Sequence, residues 1–85
     1  MITKKEVETL ERFEVDINGE NFVRLFMKAG GEKWMGEHLW RKFAEYDHSA
    51  LRLWSSLDLA NRPIFIRMVN EFAKEREKEK LRRLE

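Results

Sequence analysis

A chain of 85 residues and 10.3 kDa fits one domain, without room for two cores and a linker, and this excludes most large enzyme folds. Hydrophobic residues at 42% and charged residues at 39% supply one core under a charged surface and argue against wholesale disorder. The lack of cysteine excludes disulfides and thiolate zinc sites, and 17 Lys and Arg against 16 Asp and Glu is not the basic excess of a dedicated nucleic-acid binder.

The first residues, Met1-Ile2-Thr3-Lys4-Lys5-Glu6, carry basic side chains but no apolar run behind them, unlike a signal peptide. No apolar stretch approaches the roughly 18–20 residues of a membrane span. These features lead to the expectation of a soluble, cytoplasmic protein. Thr3 and Glu6 have capping-box spacing, and Ile2 and Val7 occupy the positions of a hydrophobic staple, so a helix is predicted from Lys4. Val7 and Leu10, with Phe13 or Glu14 a turn later, form its narrow apolar stripe. The pattern then breaks between Glu14 and Gly19.

Phe13, Val15 and Ile17 alternate as in a strand, and Asn18-Gly19 is a strong hairpin signal. A hairpin would set Ile17 opposite Glu20, Val15 opposite Phe22 and Phe13 opposite Arg24. Only one of those pairs is apolar on both sides, which favours a short extended link into a helix capped by Asn18. Phe22, Leu25, Phe26 and Ala29 give that helix its buried stripe. Gly30-Gly31 ends it, because glycine readily takes the left-handed conformation that satisfies terminal carbonyls.

The next helix is predicted from near Glu32 to Tyr46, with Met35, Leu39, Phe43 and Tyr46 inside about 80° of arc. Asp47 and Ser49 are both candidate caps for a following helix that buries Ala50, Leu53, Trp54 and Leu57, with Leu51 at the margin. Pro63 suits the first turn of a final helix, whose stripe is Phe65, Met68, Val69 and Phe72. Beyond Ala73 the sequence favours helix but lacks an apolar anchor until Leu81 and Leu84. The organisation expected is a helical domain over residues 1–73 and a charged, helical, frayed tail over residues 74–85. Leading into and along the tail, Glu71 and Lys74, Glu75 and Lys78, and Glu77 and Lys80 have ion-pair spacing.

Chemistry has few candidates. His38 and His48 are ten residues apart on different predicted elements, without the paired spacing of a metal site. Asp47-His48-Ser49 resembles a triad only in print, since adjacent side chains point apart. Asp16-Ile17-Asn18-Gly19-Glu20 begins like a calcium loop. Asn21 stands where that loop needs glycine, however, and Met27 where it needs its closing glutamate. Gly30-Gly31 lacks the remainder of a phosphate loop. The expectation is a non-enzymatic protein with no metal and no cofactor.

Trp34, Trp40 and Ile66 lie about 100° or more from the centres of their helices' buried stripes. Either they are additional core, on helices that touch neighbours on two sides, or they form an exposed anchor patch. Arg41, beside Trp40, fits the patch, because Trp and Arg are enriched where proteins bind one another. Ile66, Ala73, Leu81 and Leu84 form a weaker stripe for a partner helix.

A helix-turn-helix reading places the turn at Tyr46–Ser49, but the helix after it offers only Arg52 to a DNA groove. Arg62, Arg67 and Asn70 supply the last helix better. The expected fold is an all-α bundle of four to five helices with a longer C-terminal helix. It binds another protein or a second copy of itself through Trp34, Trp40, Arg41 and Ile66. The profile also fits an accessory or regulatory protein of a phage or mobile element, by association alone. Helical DNA or RNA binding is the alternative.

Overall fold

The computed structural model describes residues 3–84, all of whose regular structure is helical: α1 Lys4–Asp16, α2 Gly19–Lys28, α3 Lys33–Glu45, α4 Ala50–Ser56 and α5 Asn61–Leu84. The longest helix is the last, as the sequence predicts. α2 packs along α3 on one side and α5 on the other, α1 lies against α5, and short α4 bridges α3 and α1.

Thr3 caps α1, its hydroxyl oxygen accepting from the Glu6 amide at 3.2 Å. Ile2, half of the expected staple, lies outside the described residues. Along α1, Val7 is exposed and Leu10 only half-buried, while Phe13 is completely enclosed. That one ring lies 5.4 Å from Phe72, 5.9 Å from both Phe43 and Phe65, and 6.3 Å from Phe22. Four other core rings are therefore anchored on a residue of the first helix.

The helix continues to Asp16, further than the break predicted at Glu14, and the extended link is only Ile17 and Asn18. The alternation of Phe13, Val15 and Ile17 has a helical explanation. Four residues turn a helix by about 400° and two by about 200°, so Phe13 and Ile17 share the buried face while Val15 points outward at 82% exposure. Asn18 then caps α2 by accepting from the Asn21 amide at 2.9 Å, and Phe22, Leu25, Phe26 and Ala29 are all buried.

α2 and α3 end in the same way. At α2, Gly31 donates to the Phe26 carbonyl and Gly30 to that of Met27, with Gly30 at φ 105°. At α3, His48 donates to Phe43 and Asp47 to Ala44, with Asp47 at φ 56° and His48 at φ 59°. Both are Schellman ends, the first using glycine at the left-handed position and the second an aspartate. Of the two candidate caps for α4, Ser49 is the one used, accepting from Arg52 at 3.3 Å. The Glu14 carboxylate reaches over from α1 and accepts from the Ala50 amide at 2.7 Å. Ala50, Leu53 and Leu57 are buried, Trp54 half-buried and Leu51 exposed.

Asp58 accepts from the Asn61 amide at 3.0 Å as α5 begins, and Pro63 stands in its first turn, where no intrahelical donor is lost. The helix crosses Ala73 without interruption. Its charges do more than pair along their own helix. Arg24 of α2 forks onto both Glu75 oxygens at 3.0 and 2.8 Å, Lys28 meets Glu71 at 3.3 Å, and Arg76 meets Asp16 of α1 at 2.8 Å. Glu71 and Lys74 make the spacing-predicted pair at 3.7 Å, whereas Glu75 turns across to α2.

Candidate partner-binding surface

α3 has two faces because most of its apolar residues recur on one side. Gly36, Leu39 and Phe43 are buried, and the opposite side carries Lys33, Trp34, Glu37, Arg41, Ala44 and Glu45, every one exposed. Trp34 is 61% exposed, and its indole N–H donates to the Glu32 carboxylate, which ties the ring to the start of the helix. Arg41 lies seven residues on, two turns and about 10 Å along the same side. The structure thus brings together two of the four residues singled out in the sequence.

Trp40 points the other way. It is half-buried in the seam between α2 and α3, its ring 5.5 Å from Phe22, 5.8 Å from Phe43 and 5.5 Å from the His48 imidazole. Its indole lies so close to the start of α2 that a Cβ at Gly19 would sit 2.8 Å from Nε1. Ile66 is 49% exposed, but it belongs to α5, which packs on α2 and α1, whereas α3 packs on α2 and α4. It lies apart from the Trp34 face. Among the described Phe, Tyr and Trp residues only Trp34 is left exposed; the others are buried or half-buried.

The two histidines are not brought together. The His48 ring lies tilted beside Trp40 and 5.1 Å from Phe43, and His38, two positions before Trp40, faces about 200° around α3 from it. Among the described residues, no three His, Asp or Glu side chains are placed to hold a metal ion. Arg52, the one basic residue of the helix expected to enter a DNA groove, lies over the Tyr46 ring at 5.3 Å.

A groove of about 480 Å³ runs between α1 and the second half of α5 over Phe72 and Ala73. Its cations are Lys5, Arg12, Arg76, Lys80 and Arg83, and Glu8, Glu77 and Glu79 stand among them. Glu79 takes up two of those cations, pairing with Arg83 at 3.1 Å and Arg76 at 3.7 Å. The sequence presents the α5 residues of this groove only as a mixed-charge tail, because the placement of Lys5 and Arg12 opposite them depends on how α1 docks. The companions of Trp34 and Arg41 were legible: Lys33, Glu37 and Glu45 complete a four-residue rhythm on a helix whose period was already known.

No helix of the described residues is long and apolar enough to cross a membrane. Comparison with protein-family models, with curated proteins and with solved structures gives no match.

Proposed function

We propose that this chain is a small non-enzymatic interaction module that binds another protein through the outer face of α3, with Trp34 as the anchor and Arg41 beside it. The observation that carries this reading is the 61% exposure of one tryptophan in a domain that packs its other rings inward. An exposed indole gives large contact area with few rotatable bonds, and Arg at a contact supplies both stacking and directed hydrogen bonds. Trp40 supports the site from behind, by fixing α3 against α2. An accessory or regulatory role in the cytoplasm is the setting such a module would serve.

The test is capture from extracts of the native source with the intact chain as bait, against a Trp34→Ala bait of unchanged helical circular dichroism. At least one captured protein, the untagged chain itself included, depends on Trp34. Identical capture by both baits contradicts the reading.

Nucleic-acid binding is the second reading, favoured by the cations of the α1–α5 groove. Glu8, Glu77 and Glu79 in the same groove oppose phosphate contacts. If this reading holds, duplex or single-stranded nucleic acid binds with an affinity that falls steeply as salt rises, and Lys80→Glu weakens it.

A further inference from the structure

Lys33, Glu37, Arg41 and Glu45 follow one another at four-residue steps along the outside of α3, so the row reads plus, minus, plus, minus from its first turn to its last. This spacing permits ion pairs within a helix. None of the four makes one among the described residues, whereas Arg24, Lys28, Arg76 and Arg83 are all paired elsewhere. The row is charged, exposed and uncommitted.

Read backwards, such a row has its signs inverted. A second α3 laid antiparallel over the first therefore sets Lys33 against Glu45 of the other copy and Glu37 against its Arg41. Each pairing occurs twice across a two-fold axis level with Leu39. The same register sets Trp34 level with Ala44, so the large exposed ring meets the smallest side chain of the face. Rows of i, i+4 residues on two helices run parallel when the helices cross at about −50°, the commonest helix packing. Neighbouring registers fit worse. Sliding one copy by a residue levels Arg41 with His38 and Trp34 with Glu45, and sliding it by four sets like charges against like.

We infer that the outer face of α3 binds the same face of a second copy of this chain, antiparallel, with Trp34 over Ala44 and Glu37 against Arg41. This rests on the reading of the Trp34 face as a contact surface and names its partner. A 13-residue helix is about 20 Å long, a small interface by the standard of stable dimers. The dimer is accordingly weak, reversible and sensitive to salt.

Sedimentation equilibrium of the intact chain from micromolar to millimolar concentration at low salt tests it. The expected result is a monomer–dimer equilibrium whose dissociation constant rises about tenfold or more in Glu37→Arg and in Arg41→Glu, both with unchanged helical circular dichroism. The double variant Glu37→Arg/Arg41→Glu returns towards the original constant, and so does an equimolar mixture of the two single variants, because each then supplies the charge the other lacks. A monomer at every concentration overturns the inference, as does a dimer indifferent to the reversals or not rescued by combining them. A monomer whose Trp34 still governs capture of a different protein overturns only the choice of partner. Loss of all Trp34-dependent capture overturns the contact surface itself.

Discussion

Asp47 occupies at the end of α3 the position that Gly30 occupies at the end of α2, and only glycine enters the left-handed region without a steric cost. For other L-residues that cost is roughly 1–2 kcal/mol, and glycine's greater unfolded-state entropy returns part of it. Asp47→Gly is therefore expected to stabilise the protein by about 0.5–1 kcal/mol in urea unfolding. His48, also left-handed, sets its ring tilted against Trp40 and edge-on to Phe43. The two α3 tryptophans should part in the same experiment. Trp40→Ala removes a ring packed on Phe22 and Phe43 and is expected to cost about 3 kcal/mol, whereas Trp34→Ala is expected to change stability by less than about 0.5 kcal/mol. Equal losses would place both rings in the core. The sequence marked both as off-stripe and could not separate them, because which side of α3 meets α2 is decided by the docking of Trp40 over Gly19.

Helix ends were the most legible feature, since caps are local chemistry: Thr3, Asn18 and Ser49 each hold the amide three residues on. The end of α1 was not, because a three-residue alternation is compatible with both periods, and Phe13 meets its ring partners only in the folded chain. Links between helices were also hidden. Glu14 capping α4 and Arg24 holding Glu75 each join residues more than thirty positions apart. The Arg24 hydrogen bonds hold the Glu75 carboxyl below its ordinary value of 4.5, and the same bonds raise the Arg24 guanidinium. A depressed acid contributes stability above its unfolded pKa and loses it as pH falls through the folded one. The Arg24 guanidinium, raised further by the same bonds, loses its contribution only in strong alkali, outside any working range. Glu75→Gln is thus expected to cost under about 1 kcal/mol near neutral pH, since both side chains are more than a third exposed. The deficit relative to the unmodified chain should shrink below about pH 4.5. A deficit constant down to pH 3 would show that the charge on Glu75 contributes nothing.

Taken together, the helices spend nearly all their aromatic surface on one interior built around Phe13, and that is why a single indole outside it has meaning. A domain with several rings exposed would offer no such contrast. The five helices, the longer last one and the buried stripes of α2 and α5 followed from periodicity and capping. The contact face followed only in part: Trp34 and Trp40 both stood off the α3 stripe, and only the docking of α2 and α4 on α3 decides which of them is left uncovered. The account turns on Trp34 being free in the monomer and covered on association. A chain carrying Trp40→Phe and Trp54→Phe retains Trp34 as its sole tryptophan, and its fluorescence quenching by iodide can be followed as concentration rises. The expected result is an indole quenched as readily as free tryptophan at micromolar concentration, with protection and a blue shift growing towards millimolar. A ring already shielded and blue-shifted in the most dilute sample would contradict it.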